Sequence, residues 1–212
     1  MSFLKLAILA LIVIFAFNYF NNQEDSYDGT LSLPINTKIV AFGDSITLGN
    51  GVDSSKNYPS LLSDLLQSEV INAGVSGELT KQGLERLPGV LKRYKPQILI
   101  ICEGGNDLMR SKKFDSIKAN LAKMIEIAQK QKIFVVLVGV PYLEYLRFST
   151  ADFYDELAQK YNIPIDDTSL EKIENDDSLK VDQVHPNAKG YKILSNSLAD
   201  IITQNYTPNF TY

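Results

Sequence analysis

The sequence predicts an α/β protein: a three-layer α/β/α sandwich with a five-stranded parallel sheet, of the flavodoxin-like type. Short β-rich runs alternate with stretches in which apolar residues recur at helical spacing. Repeated β/α alternation produces an open parallel sheet with helices on both faces. The 212 residues suit one such domain with a short appendage.

Five segments are predicted to be strands, because each is short, apolar and bounded by glycine, proline or polar residues: 38–42, 69–73, 98–102, 133–138 and 163–166. Amphipathic spacing predicts helices over 58–66, 80–94, 115–130 and 151–161. Pro88 predicts a kink or a break in the second helix. Pro186 is expected to open a last helix that runs to about Asn205, since proline favours the first helical position.

The N-terminus is predicted to target the chain to a membrane. Lys5 precedes an uncharged apolar stretch over 6–17, and no small-x-small cleavage site follows it. We therefore favour an uncleaved signal anchor over a cleaved signal peptide, although the stretch is short for a span of about 20 residues. The expected organisation is an anchor or signal over 1–20, a linker over 21–36, the folded domain over 37–206 and a tail over 207–212. With Lys5 cytoplasmic, the domain would be exported to the periplasmic or extracellular face, tethered to the inner membrane if the anchor is retained.

Composition argues against several functions. The net charge is −4 and no long Lys/Arg block is present, so no nucleic-acid partner is expected. One cysteine and one histidine cannot form a Cys/His zinc site, and we expect neither a metal nor a cofactor. Cys102 falls in an apolar run and is interpreted as a small core residue.

The single histidine, His185, follows Asp182 by three residues. A serine hydroxyl needs a base to become nucleophilic, and imidazole titrates near neutral pH. A carboxylate normally holds such an imidazole in one tautomer. Ser45, directly after the first predicted strand, is the candidate nucleophile, with His185 as its base and Asp182 as the residue that orients it.

Ser45, Gly77 and Asn106 each follow one of the first three predicted strands. Carboxyl ends of parallel strands share one edge of the sheet, where ligands bind. Two backbone N–H groups and one amide could there stabilise a developing oxyanion. Taken singly, these motifs have ordinary interpretations as a helix cap or a turn. Their order along the chain is what favours a catalytic site.

The motifs together resemble the SGNH, or GDSL, hydrolase family. They comprise Gly43-Asp44-Ser45-Ile46-Thr47, Gly77, Gly104-Gly105-Asn106-Asp107 and Asp182-x-x-His185-Pro186. The segments 72–80 and 82–88 are similar to the bacterial thioesterase I, lysophospholipase and arylesterase branch. The resemblance implies a metal-independent hydrolase of acyl esters or acyl-thioesters. It also implies Ser45, His185 and Asp182 as catalytic residues, and the Ser45 N–H, Gly77 N–H and Asn106 amide as the oxyanion hole.

Substrate contacts are expected from Asp44 and from the segments that follow strands three and four. An apolar acyl groove is predicted from Leu108, Met109, Tyr142, Leu143, Tyr145, Leu146 and Phe148, with packing under the loop as the alternative for some of them. The bulky segment 141–148 departs from the family, so acyl preference does not carry over. A lysophospholipid is among the expected substrates.

Two other functions remain open at this point. One is removal or transfer of O-acetyl groups on an envelope polysaccharide, which would use the same triad in a more polar cleft. The other is a non-catalytic anion-binding module around 43–49. Against the module, the chain has neither a P-loop nor a dinucleotide-binding glycine motif.

Overall fold

A computed structural model describes residues 33–34 and 36–207. The predicted anchor, nearly all of the linker and residues 208–212 lie outside the described residues, so these domain assignments stay predictions. Within the described part, no helix combines the length and the apolar character that a membrane crossing requires.

The predicted α/β fold with a five-stranded parallel sheet is confirmed. The strands are β1 (Lys38–Gly43), β2 (Glu69–Gly74), β3 (Ile98–Cys102), β4 (Phe134–Val138) and, at the far edge, β7 (Ile165–Asp166). All pairs are parallel and their order is β2-β1-β3-β4-β7. Every residue of β3 is buried, as expected for a central strand covered on both faces.

Helices cover the sheet. They are α1 (Ser45–Leu48), α2 (Tyr58–Leu66), α3 (Thr80–Tyr94), α4 (Gly105–Met109), α5 (Phe114–Lys130), α6 (Phe153–Tyr161), α7 (Ser169–Glu174) and α8 (Ala188–Asn205), with 3₁₀ turns at Ser54–Lys56 and Asp177–Leu179. Helix α2 packs against α8, while α5 packs against α3 and α6. Their buried apolar faces and the strands form one core.

Three local predictions need correction. Helix α3 runs through Pro88, which excludes the break that was one of the two predicted effects of this proline. Helix α8 begins at Ala188 rather than at Pro186, because the side chain of Asn187 caps it by accepting from the N–H groups of Lys189 and Gly190. The segment after β4 is an antiparallel hairpin of β5 (Pro141–Glu144) and β6 (Arg147–Thr150).

The strand register sets where the loops meet. Gly43 at the end of β1 pairs with Gly74 of β2 on one side and with Cys102 of β3 on the other. A Cβ on Gly43 would lie 2.2 Å from the Cys102 carbonyl oxygen, so only glycine fits there. The chain order reverses around β1, which opens a crevice at the carboxyl edge of the sheet.

Candidate active site

Ser45 is the first residue of α1, immediately after β1. Its hydroxyl oxygen Oγ lies 3.1 Å from Nε2 of His185, although 140 residues separate the two in the chain. Asp44 caps the helix by accepting a 3.0 Å hydrogen bond from the Ile46 N–H. The turn therefore presents the Ser45 side chain towards the imidazole at the sheet edge.

Asp182 lies on the other side of the imidazole. Its Oδ2 is 2.8 Å from Nδ1 of His185, and its Oδ1 accepts from the backbone N–H groups of Val184 and His185 at 2.9 and 2.8 Å. The Val184 N–H and then the His185 side chain hold the pKa of Asp182 at about 2. The loop before α8 thus offers the imidazole an ionised, fixed partner.

The three expected oxyanion donors lie in the loops after β1, β2 and β3. Ser45 carries an N–H at the start of α1, and Gly77 adopts a left-handed φ of +76° that favours glycine. Among the described residues, neither backbone N–H donates to a protein acceptor. The Asn106 amide in α4 donates to Oδ2 of Asp44 at 3.2 Å. All three groups stand at the edge that also carries the Ser45 hydroxyl.

An ion pair between Glu78 and Arg86 fixes the loop that carries Gly77, and sequence analysis gave neither residue a role. Arg86 on α3 donates to Glu78 from Nε at 2.7 Å and from Nη2 at 2.6 Å, and it reaches the Ala73 carbonyl oxygen at 2.8 Å. Its guanidinium lies 3.9 Å from the centre of the Phe42 ring.

Buried carboxyl groups lie beneath the candidate site. Burial raises the pKa of Asp44 to about 6, while the Ile46 N–H and His185 act in the opposite direction. Glu103 is fully buried, and neither of its carboxyl oxygens has a hydrogen-bond partner among the described residues. Burial first, and then the neighbouring Glu78 and Asp44, raise the pKa of Glu103 well above its ordinary value.

A largely apolar cavity of about 550 Å³ adjoins Ser45. Its walls include the expected contacts Asp44, Leu108, Met109, Tyr142, Leu143 and Phe148, and also Ile46, Phe114, Val140 and Leu170. The structure does not bring Tyr145 or Leu146 to this cavity, because they form the exposed turn between β5 and β6. In the described part of the chain, no cluster of three His, Cys, Asp or Glu side chains could hold a metal ion.

Fold and site together define a serine hydrolase-like arrangement, and comparison with known proteins gives the family. The model of the GDSL-like lipase/acylhydrolase family matches residues 41–193, and the chain belongs to this family. The family resemblance read from the sequence is therefore confirmed, and the protein is a hydrolase of the esterase and thioesterase type.

Two curated relatives lie in the branch that the motifs indicated. The thioesterase 1/protease 1/lysophospholipase L1 of Escherichia coli K12 is 27% identical over 168 residues, covering 76% of this chain and 81% of that protein. The arylesterase of Vibrio mimicus is 33% identical over 145 residues, covering 64% of this chain and 72% of that protein.

Solved structures share the fold. The SGNH-hydrolase family esterase AlinE4 superposes with a TM-score of 0.63 at 31% identity, over 83% of this chain and 100% of that one. The psychrotrophic esterase EstA from Pseudoalteromonas sp., solved in a form inhibited by monoethylphosphonate, has a TM-score of 0.71 over 80% of this chain and 98% of that one. Its 21% identity supports the fold alone.

Proposed function

We propose that the protein hydrolyses acyl esters or acyl-thioesters through a triad of Ser45, His185 and Asp182. The observation that carries the proposal is the continuous path from the Ser45 hydroxyl to His185 Nε2 at 3.1 Å and from His185 Nδ1 to Asp182 at 2.8 Å. This is the arrangement that activates a serine for acyl transfer.

The proposed reaction has two halves. Ser45 Oγ attacks the acyl carbon while His185 Nε2 takes the hydroxyl proton, and the oxyanion accepts hydrogen bonds from the Ser45 N–H, the Gly77 N–H and the Asn106 amide. His185 then returns the proton to the leaving alkoxide or thiolate, which leaves an acyl-Ser45. Water attacks this ester with His185 again as base, His185 returns that proton to Ser45 Oγ, and the acid departs. Asp182 stays ionised throughout and stabilises the transient imidazolium.

The cavity supports an acyl chain, rather than a sugar, as the part of the substrate that is bound next to Ser45. Its walls are mainly aliphatic and aromatic side chains, which favour hydrocarbon over hydroxyl-rich groups. Lysophospholipids and medium-chain or long-chain esters are therefore the proposed substrates. Export to the periplasmic or extracellular face, with tethering through segment 1–20, is the proposed setting.

The test is hydrolysis of p-nitrophenyl esters from C2 to C16 by the purified full-length chain, with Ser45→Ala and His185→Ala run beside it. Turnover should fall by a factor on the order of 10⁴–10⁶ in either variant. A fluorophosphonate should label Ser45 in the wild type and not in Ser45→Ala.

Each outcome has a clear consequence. A rate maximum at medium or long chains supports the acyl hydrolase. Activity confined to acetate would favour the O-acetyl esterase instead. Retention of even a tenth of the activity in His185→Ala would contradict the triad. A wild type that neither hydrolyses the esters nor reacts with the fluorophosphonate would favour the non-catalytic anion-binding module.

A further inference from the structure

The turn of the β5–β6 hairpin has an unusual composition. Glu144 pairs with Arg147, so Tyr145 and Leu146 alone form the turn. The two residues are 93% and 99% exposed, and Tyr145 has a left-handed φ of +56°. Two-residue hairpin turns favour glycine, asparagine or aspartate, which adopt such φ values at low cost. Tyrosine and leucine here improve neither turn stability nor solubility, which points to a role in contact with something else.

These two side chains belong to a larger exposed apolar surface, called here the mouth patch. Among the described residues, nine large apolar side chains are exposed, and five of them form this patch: Met109, Phe114, Leu143, Tyr145 and Leu146. The first three also line the cavity next to Ser45. The Phe114 ring contacts Tyr142 of β5 edge-on, with 5.2 Å between ring centres. The mouth patch therefore surrounds the opening of the acyl cavity.

Basic residues stand beside the mouth patch. The loop between α4 and α5 carries Arg110, Lys112 and Lys113, and Lys112 lines the cavity. The acidic residues nearest in the chain are Asp107, which is buried and accepts hydrogen bonds from Thr80, and Asp115 on α5. Glu174 also lines the cavity, and its charge is offset by Lys180, 3.4 Å away. On the hairpin, Arg147 is offset by Glu171, 3.5 Å away. The opening thus carries local positive charge on a chain whose net charge is −4.

We propose that the mouth patch is a membrane-contact surface for a bilayer that contains anionic phospholipids. Tyr145 and Leu146 enter the interfacial region, and the basic loop contacts the headgroups. A narrow convex apolar tip fits fluid lipid, tyrosine favours the membrane–water interface, and lysine and arginine side chains are attracted to an anionic surface. This membrane contact goes beyond the proposed hydrolase function. Only its benefit rests on that function, because the contact would bring the acyl cavity to substrates in the bilayer.

The chain contains no tryptophan, so one introduced tryptophan is a unique probe. Full-length Leu146→Trp should show a blue-shifted emission and strong quenching by brominated phosphatidylcholine in vesicles. Both effects should increase when phosphatidylglycerol is added. The matched control is Leu65→Trp, an exposed leucine on α2 that does not line the cavity. Its emission should remain that of an aqueous tryptophan in the same vesicles. The comparison separates contact through the mouth patch from anchoring through segment 1–20, which would affect both probes alike.

Equal quenching at the two positions would overturn the proposal. A blue shift of Leu146→Trp that grows with protein concentration in the absence of lipid would overturn it too, since a second copy would then cover the patch. The activity readout is Leu146→Asn, which should lose several-fold of its rate on esters embedded in vesicles and keep its rate on dissolved butyrate ester. Failure of the hydrolase function would instead abolish wild-type activity on both substrates and leave the fluorescence result intact.

Discussion

Asn106 donates a 3.2 Å hydrogen bond from its side-chain amide to Asp44, the residue directly before Ser45. The same carboxylate accepts the Ile46 N–H at 3.0 Å and so also caps the helix that begins at Ser45. One buried carboxyl group therefore positions both the proposed nucleophile and one proposed oxyanion donor.

Replacing Asp44 with alanine should reduce kcat by about 10- to 100-fold with little change in KM, because an amide displaced by a fraction of an ångström no longer meets the oxyanion well. Burial raises the pKa of Asp44 to about 6, so this contact weakens as pH falls through that value. The kcat–pH profile of the wild type should carry a component near pH 6 that Asp44→Ala lacks.

A double-mutant cycle with Asn106→Ala separates this role from a general loss of structure. If Asp44 acts through Asn106, its removal should have a much smaller effect in the Asn106→Ala background. Full additivity of the two losses would contradict the positioning role.

Asp182→Asn should lower kcat by a factor of about 10⁴ and should lower the thermal midpoint at pH 7 modestly, because the charge it removes is about half exposed. The asparagine oxygen can still accept the Val184 and His185 N–H groups, but the charge opposite Nδ1 is gone. Because the pKa of Asp182 is lowered to about 2, the stability that its charge contributes is present above its ordinary pKa of 3.8 and is lost as pH falls through about 2. Thermal unfolding of both proteins from pH 2 to 7 checks this. The two midpoints should converge as pH falls towards 2, and a kcat close to that of the wild type would contradict the catalytic role of Asp182.

Much of the fold could be predicted from the sequence, because the pattern of apolar residues in the parallel strands matches the burial of those strands in the structure. The run 98–102 is apolar throughout and is buried throughout. The order of Ser45, Gly77 and Asn106 after three strands also predicted that their loops share one edge, which follows from parallel pairing alone.

The parts that were not predicted depend on contacts between distant residues. The ion pair of Arg86 with Glu78 and the burial of Glu103 have no local signature in the sequence. The β5–β6 hairpin was missed for the opposite reason, since its turn lacks the glycine or asparagine that normally marks one. Pro186 was assigned to the helix start because proline favours the first helical position. The helix begins two residues later, at Ala188, because the Asn187 side chain caps it.

Glu103→Gln should raise the thermal midpoint, and the gain should increase with pH. The pKa of Glu103 is raised well above 4.5, so the folded protein retains a proton that the unfolded chain releases. Its contribution to stability therefore declines as pH rises above 4.5 towards the raised value. Glutamine has no charge to bury, so calorimetry from pH 5 to 9 should show a thermal midpoint that depends less on pH than that of the wild type.

Glu85→Gln, at an exposed position of α3, is the matched control and should follow the wild type. Parallel curves for Glu103→Gln and the wild type would show that this carboxyl group does not titrate with folding.

Phe114→Ala should change acyl-chain preference rather than chemistry. The ring lines the cavity and packs edge-on against Tyr142 and Phe153, at 5.2 and 5.4 Å between centres. Removing it takes away hydrocarbon contact that a long chain uses and an acetyl group does not reach. We expect KM for a C10 ester to rise by about tenfold, equivalent to about 1.4 kcal/mol of lost contact, with KM for acetate unchanged.

Phe134→Ala is the matched control for that change. Phe134 packs edge-on against Tyr206 at 5.4 Å between ring centres, in the same kind of pair, but it does not line the cavity. Phe114→Ala loses two aromatic pairs and Phe134→Ala loses one, each worth about 0.5–1.5 kcal/mol beyond its buried area, so both variants should unfold at lower temperature. Only Phe114→Ala should raise KM for the C10 ester while leaving KM for the acetate ester unchanged. If both variants raised KM for the C10 ester equally, the effect would come from a loosened fold, and the cavity beside Ser45 would not be the acyl site.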